Sequence, residues 1–272
     1  MLLINWTLIL QLVYSLQGIL ILITNSTVLA SIVLRNKLSK KEFWLPFGLA
    51  ISDWLFGLAT FSAGARRIQL MAEERLGEII TKWDCVKEPH VGPFILGGYY
   101  VPTMLLLISV DRFIACSSIR MYQRLTIKFV ASCTISGGLV AAMFTSVSFT
   151  FTYLEPAQSN LTRYCIANQV LTLPVMQFWD GYQTFGSPIS ILIYAGALLQ
   201  LRRSFDKESL SNNLKQIKDR QVKDACPCSF VTMLGSVWSG SVSSTILSAN
   251  KGHFLSVFSI QILLAYQFYD IF

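Results

Sequence analysis

At 272 residues, this chain is 53% hydrophobic and only 14% charged, against roughly a quarter charged in ordinary soluble domains. Its charges cluster between long uncharged runs that have no polar face, which weighs against a soluble globular domain. The net charge of +7 does not mark a nucleic-acid binder, because it is confined to certain loops and no Walker, dinucleotide or zinc-ligand spacing accompanies it.

Crossing the hydrocarbon core takes about 20 mainly apolar residues. The first predicted span is 8–34, uncharged throughout. No Lys or Arg precedes it and the run is too long for a signal-peptide core, so it is expected to be a retained span. The second, 45–65, carries Asp53 in Leu49-Ala50-Ile51-Ser52-Asp53. A charge at mid-membrane costs about 2.5–3.5 kcal/mol on insertion scales, so such a residue faces the bundle interior and has partners. Asn25 and neighbouring hydroxyls are the candidates. The cluster would bind a cation or change protonation; the alternative is a neutral acid that only hydrogen-bonds.

The third predicted span, 91–110, follows Cys85, contains Pro102 and is expected to end at Asp111-Arg112-Phe113, where acid and base can pair. The fourth is 129–153, with Cys133 inside it. Cys165 lies in the next loop, and a Cys85–Cys165 disulfide is expected over two free thiols, since both cysteines fall on the predicted oxidising side. The fifth span, 175–201, contains Pro188, which frees a backbone carbonyl for neighbouring groups. The charged 202–224 segment reads equally as helical extensions of its flanking spans or as a solvated linker. The sixth, 225–248, is more polar and carries Trp238; the seventh is 254–272. Cys116, Cys226 and Cys228 fall on the reducing side, and Cys-Pro-Cys is not a zinc spacing.

Charge fixes the expected orientation. The predicted outer segments hold Arg66, Arg67, Arg75, Lys82, Lys87, Arg163 and Lys251, and the remainder of the 22 basic residues lie on the other side. That bias places the N-terminus outside. Sequons at Asn5 and Asn160 both fall on the outer face and are candidate glycosylation sites; Asn25-Ser26-Thr27 lies within a span.

Taken in order, these residues resemble the rhodopsin-like (class A) G-protein-coupled receptors. Asn25 fits the first-helix asparagine and Leu49-Ala50-Ile51-Ser52-Asp53 the second-helix Leu-Ala-x-x-Asp. Cys85 and Cys165 fit the extracellular disulfide, and Pro188 the fifth-helix proline. Asp111-Arg112-Phe113 with Ala115 and Tyr122 fits Asp-Arg-Tyr-x-Ala and its downstream tyrosine. The likeness covers 17–201. Phe113 departs from tyrosine and Ile119 from a proline; Gly240 stands where a proline follows Trp238, and the seventh-helix Asn-Pro-x-x-Tyr is missing. Short loops and Ser-rich spans are similar to nematode-type serpentine chemoreceptors of class sx.

The resemblance implies an all-α membrane protein, a seven-transmembrane bundle whose last two helices are divergent or incomplete. It implies a plasma-membrane receptor that binds an extracellular small molecule or peptide and activates a heterotrimeric G protein through Asp111, Arg112, Phe113 and Tyr122. Phe94, Ile95, Gly98, Tyr99, Asp180, Thr184 and Trp238 are the expected pocket residues. The acid that aminergic receptors place on the third helix would fall near Phe94, which disfavours an amine. No cofactor or metal is expected beyond a sodium ion beside Asp53. The rival readings are a degenerate receptor that no longer couples and a transporter, although no internal repeat of the transporter kind is present. With only His90 and His253 as histidines and no nucleophile–base pair, an enzyme is not expected.

Overall fold

The computed structural model describes residues 2–155 and 161–207. The chain divides into two compact units, Met1–Arg203 and Ser204–Phe272. Nearly all of the second, with the predicted sixth and seventh spans and Trp238, lies outside the described residues.

The first unit is helical. Its long helices are α1 (Leu2–Leu34), α2 (Trp44–Ala72), α4 (Val91–Ser117), α6 (Ile127–Leu154) and α8 (Leu173–Lys207). Short helices α3 (Lys82–Val86), α5 (Ile119–Arg124) and α7 (Ala167–Val170) lie in the connections. Strands β1 (Ile79–Ile80) and β2 (Leu161–Thr162) pair antiparallel, with Ile79 opposite Thr162. Among the described residues, four helical segments are long and apolar enough to cross a membrane: Thr7–Leu34, Lys41–Ala72, Val91–Ser117 and Ile127–Leu154. The fifth predicted span, 175–201, forms part of α8 but is not among the four.

Local chemistry explains the boundaries. The hydroxyls of Ser118 and Thr126 accept from the backbone N–H of Met121 and Phe129, and so cap α5 and α6. α1 stops where Asn36 takes a left-handed φ of 50°, a conformation asparagine tolerates better than most residues. Two corrections follow. α2 runs on past the expected end at Ala65 to Ala72, and α4 runs on past Val110 to Ser117. Asp111-Arg112-Phe113 therefore sits inside a continuous helix and does not end one. Both extensions are helix-compatible polar turns that hydropathy alone cuts short, since a charged residue lowers the hydropathy of a window without breaking the helix.

The order of packing is α1 on α2, α2 on α4, and α4 on α6. α2 and α4 are the buried pair. α1 and α6 instead turn large apolar side chains outward, among them Leu12, Leu16, Leu20 and Ile23 on α1 and Ile135, Leu139 and Met143 on α6. Apolar surface on that scale in water marks a binding face or an aggregation hazard; against lipid tails it costs nothing. α8 runs parallel to α4. Gln183 donates to the Gly98 carbonyl (3.3 Å) at one level, and the Ser117 hydroxyl donates to Gln200 (3.0 Å) nineteen residues along α4.

This alternation puts 73–90, 161–172 and the start of α1 at one end of the bundle. The 35–43 and 118–126 connections lie at the other.

Candidate functional site

Three polar or aromatic clusters lie along α4. At its first turns is the disulfide end. Cys85 and Cys165 are bonded, with Cα atoms 5.5 Å apart and a sequence separation of 80. The bond ties the head of α4 to the connection between α6 and α8. Ion pairs reinforce it: Lys82 with Glu155 (2.6 Å), Arg66 with Glu88 (3.1 Å), and Arg163 with Glu78. Arg75 and Arg163 hold the exposed Glu78 carboxyl below its ordinary range.

Beneath these pairs Arg67 is buried at 6% exposure. Its Nε donates to the Tyr164 carbonyl (3.1 Å) and Nη2 to the Cys165 carbonyl (3.4 Å). The guanidinium lies 4.3 Å from the centre of the Tyr164 ring, within cation–π range. The Tyr164 hydroxyl in turn accepts from Gln11 Nε2 on α1 (2.6 Å). Cys165 has a left-handed φ of 47°, a conformation that costs a non-glycine residue on the order of 1 kcal/mol, and the disulfide and Arg67 hold it there.

His90, the residue before α4, is buried with both ring nitrogens lacking an ordinary hydrogen bond. Burial, then Arg67 and to a lesser degree Arg66, lower its pKa from 6.5 to about 4, outweighing the upward pull of the Cys165 backbone and Glu88. The imidazole is therefore neutral at physiological pH. An unfolded chain protonates it near 6.5 and the folded chain only near 4, so the folded state binds fewer protons across that window and loses stability as pH falls through it. We expect thermal denaturation to reveal a loss of about 2 kcal/mol between pH 7.5 and pH 5. His90→Gln should flatten that slope, and an unchanged slope in the variant would contradict the assignment.

Over the first three turns of α4, the expected pocket residues pack against side chains of α2, α6 and α8. Phe94, Ile95 and Tyr99 are buried. Phe94 sits between Phe56 (5.1 Å) and Trp179 (6.1 Å). Tyr99 stacks on Phe144 (5.5 Å), and its hydroxyl pairs with Ser148 (3.2 Å). A Cβ on Gly98 would come within 2.8 Å of Trp179 Nε1, so α8 closes on α4 there only because the residue is glycine. Asp180 is partly buried and Thr184 is exposed.

At the opposite end, Arg112 Nε lies 3.8 Å from Asp111 Oδ2, with both side chains largely buried. That is an ion pair but longer than a hydrogen bond, and Arg112 Nε makes no hydrogen bond. Lys41 reaches across from the 35–43 connection. Its ammonium donates to the carbonyls of Tyr122 (2.6 Å) and Leu125 (3.3 Å) and lies 4.1 Å from the Tyr122 ring centre. The cation thus caps the last turn of α5, where backbone carbonyls are unpaired. Burial, and then the Asp111 charge, push the Tyr122 phenol up to about 12, so it stays protonated. Phe113 is 39% exposed and reaches toward Gly196 of α8.

Asn25 and Asp53 are both buried. Asn25 spends its amide N–H on the Ile21 carbonyl of its own helix (3.0 Å). Ser52, beside Asp53, likewise donates to Leu49 (2.7 Å). Both bonds are local, made within each residue's own helix. Among the described residues no group of three or more His, Cys, Asp or Glu side chains could hold a metal ion. Asn5 lies in the opening turns of α1, and Asn160 falls outside the described residues.

Sequence reasoning missed Arg67, Tyr164, Gln11, His90 and Lys41. Arg67 had a readable signal, because Gly64 and Arg67 continue the buried stripe of α2 past the hydropathy boundary. Lys41 had none, since its partners are backbone carbonyls eighty residues away. Neither a protein-family model nor a curated protein matches the chain.

Proposed function

We propose that this chain is a plasma-membrane receptor of the rhodopsin-like kind, seven helices in all, with its disulfide end outside. On this reading it takes an extracellular small molecule or peptide at that end and activates a heterotrimeric G protein at the other. The observation that carries the reading is the Asp111–Arg112 pair, largely buried at 3.8 Å, one helix-length from Cys85 and bordered by Tyr122 and Lys41. A guanidinium held near a single carboxylate without a close hydrogen bond can be drawn to another partner at low cost. A ligand at the far end of the same helix then needs only to favour one arrangement of α4 and its neighbours over another.

Nucleotide exchange on purified G protein, driven by the chain in lipid nanodiscs, tests this directly. Arg112→Ala should lower the basal exchange rate about tenfold. Asp111→Asn, which frees the arginine, should raise it roughly fivefold, the shift that about 1 kcal/mol of lost pairing produces. Equal rates in all three proteins would sink the proposal. The orientation has its own check: the Asn160→Gln variant should lose a glycan that the wild type carries.

A further inference from the structure

The bases at the disulfide end divide into two kinds. Those at or near the surface have carboxylates: Arg66 has Glu88, Lys82 has Glu155, Lys87 has Asp84, Arg75 has Glu73 and Glu78, and Arg163 shares Glu78. Arg67, the most buried of these cations at 6% exposure, has none among the described residues. Physical chemistry predicts the reverse, because a desolvated charge gains most from a counter-charge and a solvated one gains little.

Polar capacity around Arg67 is also left over. Two carbonyls engage Nε and Nη2, and the rings of Tyr164 and Tyr14 face the guanidinium at 4.3 and 5.8 Å. Gln11 reaches the same Tyr164 from the other side and is 5% exposed; its Oε1 is buried without a hydrogen-bond partner. His90, 4% exposed, faces the Cys165 backbone and otherwise has no hydrogen-bond partner for its ring nitrogens. Three elements and a disulfide thus converge on a cation and two under-used polar side chains. An arrangement built only for stability would satisfy those atoms or replace them with apolar ones.

We propose that Arg67 is the anchor of an anion site at the disulfide end, and that the receptor's ligand carries a singly charged oxyanion such as a carboxylate. This deepens the receptor reading and rests on it for the outward orientation. Arg67 supplies the charge, and those of its N–H groups not engaged by the two carbonyls can donate to a carboxylate. Neutral His90 offers a further donor or acceptor beside it. The phosphate of an anionic lipid headgroup presents the same chemistry at the same depth, so the experiment must separate the two sources.

The chain is reconstituted in nanodiscs of phosphatidylcholine and its melting temperature measured with benzoate or its neutral isostere benzamide. A second set of nanodiscs contains phosphatidylglycerol and neither probe. Stabilisation by benzoate over benzamide, with an apparent Kd about tenfold weaker in Arg67→Gln, supports a soluble carboxylate. Stabilisation by phosphatidylglycerol alone, lost in Arg67→Gln, assigns the site to lipid and overturns the ligand part of the proposal. Equal effects of benzoate and benzamide on the wild type overturn it altogether, and that comparison needs no variant to fold. Arg75→Gln, an exposed and already paired arginine, should leave the benzoate response intact; its loss there would mean general electrostatics and also overturn the site. None of these readouts depends on G-protein coupling, so a failure of the exchange assay and a failure of anion binding can be told apart.

Discussion

Replacing Cys85 or Cys165 with serine should lower the stability of the disulfide end by about 2–4 kcal/mol and cut surface expression several-fold. In the chain-entropy account a bond across a sequence separation of 80 is worth about 4.5 kcal/mol. The lower end of the range applies here because α4 and α6 already restrict that loop when its helices are in the membrane. The loss spreads beyond the bond. Cys165 holds a left-handed backbone, and its carbonyl accepts from Arg67; once relaxed, it releases both, and the short β1–β2 pairing with it. Limited trypsinolysis should therefore cut at Arg163, which is shielded by Glu78 in the folded chain, earlier in either variant than in wild type. The double variant should match the singles, because both remove one and the same bond. Additive losses would mean that the two cysteines act separately, and wild-type trypsin resistance in all three would remove the disulfide from the stability of this end.

The same region shows what a single sequence reveals and what it hides. Four of the predicted spans match the candidate membrane segments, because a run such as 8–34 has no alternative to lipid as its solvent. The Cys85–Cys165 bond was also legible, since two cysteines on the same predicted side are few enough to pair by elimination among compartments. Helix ends were less so. Arg66 and Arg67 read as the start of a loop, yet the helix continues through them because Gly64 and Ser15 keep α1 and α2 in contact one turn before. Arg67 is then carried under the disulfide hairpin, and its partners are main-chain oxygens that have no signature in a sequence. The pocket residues illustrate a different gap. Position along α4 suggested Phe94, Ile95 and Tyr99 as pocket lining; they are buried, and position cannot tell a cavity lining from an aromatic cluster. The rings of Phe144, Phe178 and Tyr182 that gather around Tyr99 come from two other helices.

Gly18→Val should be the most damaging single substitution in α1, costing about 3 kcal/mol, the upper part of the range for overpacking. A Cβ at residue 18 would lie 2.8 Å from Phe61 Cα and 2.9 Å from the Gly57 carbonyl oxygen. Both are backbone atoms of α2, so no side chain can rotate to make room and the helices must part. Helices in lipid gain little from hydrophobic burial against one another and associate through close van der Waals packing at small residues. α1 depends on that contact more than the other helices do, since most of its remaining surface faces outward. Separation would also break the Trp54–Ser26 hydrogen bond (3.2 Å) and draw Gln11 away from Tyr164, so the anion response at Arg67 should fall with it. Gly18→Ala should be intermediate, and Leu16→Ala, on the outward face at 57% exposure, should stay within about 0.5 kcal/mol of wild type. Thermal denaturation in nanodiscs ranks the three. If Gly18→Val melts with the wild type while Leu16→Ala does not, α1 packs on α2 through a different face, and the route from α1 to the disulfide end is lost.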